Sequence, residues 1–167
     1  MNDTMKLEFP AISENEPFAR GAVAAFCLRL NPTLDELSDV KTAVSEAVTN
    51  CIVHAYAGDD YARSERLVVI ECMAEEDTLH IKISDRGRGI GDVAQAVEPF
   101  FTTSEEEERS GMGFTIMQTF MTTFHLESAP GAGTVVSMSK RFGSPQGGAG
   151  PRRGALAGAL WTADARL

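Results

Sequence analysis

The sequence predicts an α+β fold, a two-layer α/β sandwich with its helices gathered on one face of a mixed or antiparallel sheet. Three observations lead there. The elements read in the order strand, helix, helix, strand, strand, long loop, helix, strand, strand. After the first strand, the strands come in adjacent pairs joined by short turns, as hairpins do. No regular strand–helix–strand alternation occurs, which argues against a doubly wound parallel sheet. At 167 residues the chain fits one domain able to bury roughly 70% of the surface its unfolded form exposes.

Thr4 to Pro10 alternates, with Met5, Leu7 and Phe9 on one side and Lys6 and Glu8 on the other, and reads as a strand. Ser13 followed by Glu16 has the form of a capping box. The helix it opens carries Phe18, Ala22, Ala25, Phe26 and Leu30 at helical spacing and is broken by Asn31-Pro32. Thr33 is placed to cap a second, longer helix running to about Tyr56, with Gly58 as its stop. Arg66 to Met73 is rich in β-branched residues and Asp77 to Ser84 alternates, so the two form a hairpin. The stretch from Asp85 to Ser110 is heavy in Gly, Thr and Glu, and so long a loop in a compact domain is usually functional. Gly111 to Thr122 returns to a helical pattern through Phe114, Met117, Phe120 and Met121. His125 to Ser128 and Thr134 to Phe142 are the last strands, joined by Pro130-Gly131-Ala132-Gly133.

Residues 143–167 are different material. They hold 6 of the 15 glycines and 2 of the 7 prolines, and read as a flexible tail behind a folded domain of residues 1–142. The net charge is −9; Arg152, Arg153, Asp164 and Arg166 give the tail +2, so residues 1–142 carry −11. That balance argues against direct nucleic-acid binding and against an anionic membrane, and it suits a basic protein partner. Cys27, Cys51 and Cys72 are odd in number, lack a CxxC spacing and sit among apolar neighbours. They read as buried thiols in a reducing cytoplasm rather than as zinc ligands or disulfides. The N-terminus has no basic stretch leading into an apolar run, and no segment reaches the roughly 18 apolar residues of a membrane span. The localisation expected is cytoplasmic.

Four features carry chemistry. Glu46, Asn50 and His54 recur at i, i+4 and i+8, each offset by only about 40° around a helix, so they form one polar stripe. Val40, Ala43, Val44, Ala47, Val48, Cys51, Ile52 and Ala55 cover the other side. A solvated face is the ordinary reading of such a stripe. Against it, Ser45 to Asn50 holds no basic residue and Asn is a poor mid-helix choice. Next, Asp85-Arg86-Gly87-Arg88-Gly89-Ile90 follows a strand directly; its glycines permit close approach to a ligand, and its Asp can accept from the exocyclic amine of a base. Then Arg109-Ser110-Gly111-Met112-Gly113-Phe114 opens a helix, where backbone N–H groups and the helix dipole favour an anion. Last, Gly133-Thr134 begins a late strand. Alone, the last three read as an ordinary loop, a Gly-rich first helical turn and a plain turn. No GxxxxGK[ST] loop occurs.

Their joint order is the informative part: a helix with E-x3-N-x3-H, a strand ending in DxGxG, a long loop, GxGF at a helix start, then GT. This set resembles the nucleotide site of the GHKL superfamily, shared by gyrase, Hsp90, histidine kinases and MutL. More narrowly it is similar to the anti-sigma F factors of spore-forming bacteria. The supporting stretches are Leu7 to Phe9, Asn15 to Arg20, Val44 to Asn50, Phe101 to Thr103 and Glu108 to Met117, within about Met1 to Arg141. The run ERSGMGFTIM is far more specific than a generic GxG.

The resemblance implies a Bergerat-type ATP-binding fold and an ATP-dependent protein serine kinase that also inhibits a sporulation sigma factor. Glu46 would be the general base toward a serine hydroxyl, and Asn50 would hold Mg²⁺. Asp85 would bind the adenine amine, with Thr134 assisting through water. Gly87, Gly89, Gly111 and Gly113 would line the nucleotide, Arg109 would reach the γ-phosphate, and residues 91–110 would form a lid over ATP. His54 reads as structural, and His80 and His125 as plain strand residues. Arg20, expected to be exposed, would contact the partners: the sigma factor and the anti-anti-sigma protein whose serine is phosphorylated. The N-terminal strand would pair with its mate in a homodimer. Arg86 and Arg88 depart from the family pattern, either reaching phosphate or pairing with the acidic run Glu105 to Glu108. The alternatives are a stress-response anti-sigma kinase, which shares the site, and a nucleotide-gated sigma-binding module with little catalysis. The catalytic half of a histidine kinase would need a separate histidine-bearing dimerisation domain, and the sequence offers none.

Overall fold

A computed structural model describes residues 3–58, 61–98 and 112–143. Five strands form one sheet: β1 (Asp3–Pro10), β2 (Leu67–Glu75), β3 (Thr78–Asp85), β4 (Thr123–Ser128) and β5 (Thr134–Arg141). Their spatial order is β1-β2-β3-β5-β4, and every pairing is antiparallel. Of the two sheet types expected, the antiparallel one is therefore present. Burial alternates along β2 and β3. Val68, Ile70, Cys72 and Ala74 thus share one face with Leu79, Ile81 and Ile83; in register Ile70 meets Ile83, Cys72 meets Ile81, Ala74 meets Leu79, and Val68 meets Asp85.

That face meets the helices. Val23 and Phe26 of α1 (Asn15–Cys27), Val40, Val44 and Val48 of α2 (Leu34–Asn50), and Met117 of α4 (Gly113–Phe120) belong to the same buried cluster. Each fully buried Ile, Leu or Val contributes about 1.5–3 kcal/mol of transfer free energy. This burial, more than local propensity, fixes the helices on the sheet.

Local chemistry sets the helix ends. The capping box expected at Ser13 is not formed. Helix α1 begins after Glu14 with no side-chain cap, and Ser13 gives only its carbonyl, to the Glu16 amide at 3.2 Å. With that start the third helical residue is Pro17, which has no N–H for a cap to satisfy. After α1 a 3₁₀ turn (Leu28–Leu30) ends in Asn31 at φ 50°, ψ 50°, a left-handed stop ahead of Pro32. The cap at Thr33 is present as expected: its hydroxyl accepts from Glu36 N at 3.2 Å, and Glu36 Oε2 accepts from Thr33 N at 2.8 Å. Burial pushes the Glu36 carboxyl up, but the amides of Thr33 and Gly143 with the Thr33 hydroxyl and the Lys140 charge bring it below its ordinary value.

The second helix does not run as a regular α-helix to Tyr56. It is α-helical to Asn50 and widens into a π-turn over Cys51–Ala55. The loop from Asp85 also carries a short helix, α3 (Val93–Ala96), begun by Asp92 Oδ1 accepting from Gln95 N at 2.9 Å. Residues from 144 onward lie outside the described residues. Among the described residues no helix is long and apolar enough to cross a membrane.

Candidate functional site

A cavity of about 460 Å³ opens between the helix layer and one end of the sheet. Glu46 and Asn50 of α2, His54 of the π-turn, Asp85 at the end of β3, Gly89 beyond it, Gly113 of α4 and Thr134 of β5 all line it. The structure thus brings together residues that stand up to 88 positions apart, from Glu46 to Thr134. Of the other residues singled out, Gly87 lies behind the wall, buried against Ala55. Arg109 and Gly111, with most of the expected lid, lie outside the described residues.

At the sheet end the central group is Asp85. It is 7% exposed, and two backbone amides converge on its Oδ1: Gly87 N at 2.9 Å and Thr134 N at 3.2 Å. Burial pushes its carboxyl up, while the Gly87 amide, the Cys51 thiol and the Thr134 amide oppose the rise. Cys51, also on the cavity wall, keeps its proton because burial and the Asp85 charge push its thiol well up. The DxGxG loop is tied on both sides. Arg86 N donates to Tyr56 Oη at 3.0 Å and Arg88 N to the Ala55 carbonyl at 2.8 Å. Ile90 N donates to Ser128 Oγ at 2.8 Å, and the Arg88 carbonyl accepts from Gly131 N at 2.7 Å. The glycines serve this close packing. A Cβ on Gly87 would overlap the Ala55 carbonyl, and one on Gly133, at φ +77°, would overlap the Asp85 carbonyl.

At the helix end, Glu46 and Asn50 face the start of α4. A Cβ placed on Gly113 would lie 3.1 Å from Glu46 Oε2 and 3.4 Å from Asn50 Nδ2. A carboxylate and an amide one turn apart therefore meet the start of α4 at a residue that has no side chain of its own. The π-turn makes a wider ring than an α-turn, and His54 remains on the cavity wall despite the change of helix type.

The structure also adds residues that the sequence patterns passed over. Tyr56 and Ser128 hold the glycine loop. Arg88, which the sequence did single out, lines the cavity, while the acidic run 105–108 that it was expected to pair with lies outside the described residues. His80, half-buried, lies 3.9 Å from Glu75, and His125, exposed, lies 3.1 Å from Glu127, both away from the cavity. Among the described residues no group of three or more His, Cys, Asp or Glu side chains is placed to hold a metal ion. Arg20 departs from its expected exposure. It is half-buried, its Nε 3.0 Å from Glu16 Oε1 one turn back, while the neighbouring Phe18 is 58% exposed.

Residues 9–140 match the family described as histidine kinase-like ATPase domain, so fold and cavity together define a domain of that class. A solved structure comprising the RsbU and RsbW domains of a Mycobacterium tuberculosis protein shares the fold at a TM-score of 0.61 and 14% identity, over 86% of this chain and 33% of that one. Much nearer in sequence are the anti-sigma F factor of Caldanaerobacter subterraneus, 50% identical over 85% of this chain and 96% of that protein, and that of Clostridium beijerinckii, 51% identical over 84% and 96%. The anti-sigma F factor of Oceanobacillus iheyensis is 49% identical over 85% of this chain and 94% of its own length. The chain belongs to the anti-sigma F factor family, within the histidine kinase-like ATPases.

Proposed function

We propose that the protein is an ATP-dependent serine kinase and anti-sigma factor: it binds and inhibits a sporulation sigma factor and phosphorylates the anti-anti-sigma antagonist on serine. The observation that carries this reading is one cavity with Asp85 at one end and the Glu46–Asn50 pair against the start of α4 at the other. That spacing suits a purine nucleotide lying from base to phosphate. The residues fit the group they would hold. Asp85 is a buried acceptor, and Gly113 leaves open the space where a side chain would meet Glu46 and Asn50.

Each residue then has a task. The Asp85 carboxylate accepts from the adenine amine, with Thr134 beside it and Gly89 in the adjoining wall. Gly113, with Gly111, lets phosphate approach the α4 amides, where the helix dipole favours negative charge. Asn50 Oδ1 is the ligand that the chain offers to Mg²⁺, a hard cation that keeps several waters. When bound, Mg²⁺ neutralises charge on the phosphates. Glu46 takes the proton of the attacking serine hydroxyl as the phosphoryl group leaves ADP, and Arg109 steadies the charge that develops. Arg20 on α1, beside exposed Phe18, offers a surface for the sigma factor and its antagonist, and β1, an edge strand, pairs with its mate in a homodimer.

The test is transfer from γ-labelled ATP to the cognate antagonist, with phosphoserine mapped by mass spectrometry. Glu46→Gln is expected to lose transfer by about 10²–10⁴-fold while still binding ATP. Undiminished transfer rejects Glu46 as the base.

A further inference from the structure

Three successive backbone amides follow Asp85, and each has its own acceptor. Arg86 N donates to Tyr56 Oη at 3.0 Å, Gly87 N to Asp85 Oδ1 at 2.9 Å, and Arg88 N to the Ala55 carbonyl at 2.8 Å. Two of these acceptors are adjacent residues at the end of the π-turn. The third is the carboxylate itself. Its orientation is therefore tied to the path of residues 86–88, and that path is tied to residues 55–56.

Tyr56 is built for this. Its ring is 4% exposed and packs edge-on to Tyr61, with centroids 5.2 Å apart. Its hydroxyl donates to the Leu67 carbonyl at 2.6 Å and accepts from Leu67 N at 3.2 Å as well as from Arg86 N. One oxygen thus joins the start of β2 to the residue after β3, with both accepting positions and the donor in use. Burial raises the phenol above its ordinary value, so the donor proton stays in place. Tyr56 is not among the described residues that line the cavity.

We infer that Tyr56 is a positioning residue for nucleotide binding: through Arg86 N its hydroxyl holds the loop that aims Asp85, so the base end of the cavity is formed before ATP arrives. The inference rests on the nucleotide reading above. A preformed acceptor loses less freedom on binding and so binds more tightly. The π-turn has a part in it, because the wider ring ends with the Ala55 carbonyl and the Tyr56 hydroxyl both directed at one loop.

The experiment is titration calorimetry with MgATP and MgADP on the full chain, comparing wild type with Tyr56→Phe. Losing one hydrogen bond to the loop is expected to weaken both nucleotides about tenfold, at unchanged stoichiometry. A purely structural role gives the other pattern: fewer competent molecules and a lower Tm, with unchanged affinity in those that bind. Unchanged affinity in Tyr56→Phe overturns the proposal. A second measurement covers a variant that fails to fold. In the nucleotide-free wild type, amide exchange at Arg86 and Arg88 is expected to be slow, and fast exchange there overturns the proposal as well. Wild type that binds neither nucleotide removes the nucleotide reading and the inference together, whereas binding that Tyr56→Phe leaves intact removes the inference alone.

Discussion

Gly87→Ala and Gly21→Ala make the same chemical change in two environments and should move stability in opposite directions. At Gly87 a Cβ would overlap the Ala55 carbonyl oxygen and come within 2.7 Å of Ala55 Cβ. Carbon atoms rest at roughly 3.5–4.0 Å, so the loop has to lift from the π-turn by about an ångström. That lift breaks the 2.8 Å bond from Arg88 N to the Ala55 carbonyl. Overpacking costs about 1–3 kcal/mol and the lost bond about 1 kcal/mol, giving about 2–4 kcal/mol in all. Gly21 is exposed inside α1, and a Cβ there meets nothing within 4 Å. Alanine in an open helical position gains about 0.5–1 kcal/mol over glycine. Urea denaturation should therefore show Gly87→Ala with a lower midpoint and Gly21→Ala with a higher one, at a common m-value. At about 2–4 °C per kcal/mol for a chain of this size, Tm should fall by roughly 4–16 °C in the first and rise by roughly 1–4 °C in the second. A Gly87→Ala midpoint within about 0.5 kcal/mol of wild type would refute the packing argument, because an overlap of this kind cannot be absorbed without movement.

Two further substitutions probe charge and capping. Asp85→Asn should raise Tm near neutral pH while abolishing measurable ATP binding, since the amide keeps an acceptor for Gly87 N and sheds the buried charge. The sign follows from the raised carboxyl. Its burden on stability is absent below the unfolded pKa and is fully felt once pH has risen past the folded one, so the advantage of Asn should vanish on acidification; an advantage that instead grows in acid counts against it. Thr33→Ala removes the hydroxyl that accepts from Glu36 N and should cost about 0.5–2 kcal/mol by denaturation, with the cavity residues unmoved; an unchanged midpoint would show that the capping box contributes nothing.

The order of elements was legible because burial imposes periodicity. β2 and β3 alternate along their whole length, and the register that pairs Ile70 with Ile83 follows from matching their apolar positions. The stripe Glu46, Asn50, His54 was legible for the same reason, as polar residues where an apolar pattern leaves a gap. Helix type was not. A π-turn adds one residue per ring without altering which side chains are apolar, so nothing in Cys51 to Ala55 distinguishes it from another α-turn. Tyr56 and Ser128 escaped because both act on backbone amides, and an amide carries no residue identity by which the sequence could mark its partner. The Ser13 box failed because the helix began one residue later than the motif implied, which moved Pro17 into the position a cap must reach. Gly87 was read as facing the ligand, and the position does demand glycine, but the close neighbour is the protein's own Ala55.

Asp85 shows why these backbone ties concentrate where they do. A carboxylate exposed to water already has its acceptor capacity filled and discriminates poorly among amines. Once buried, the same group costs stability, and the raised pKa is the measure of that cost. Amides from Gly87 and Thr134 offset part of it, yet both reach the same oxygen, Oδ1. A ligand that donates to the carboxylate would supply more of the missing compensation, so on the proposed reading nucleotide binding and folding stability would be linked at this atom: what lowers the cost of ionising Asp85 stabilises the folded chain by the same amount. The ties through Tyr56, Ala55 and Ser128 keep the carboxylate from relieving that cost by turning out to solvent when the cavity holds no nucleotide. They maintain an unfavourable but directed acceptor, and that is the condition under which a buried acid can select an exocyclic amine.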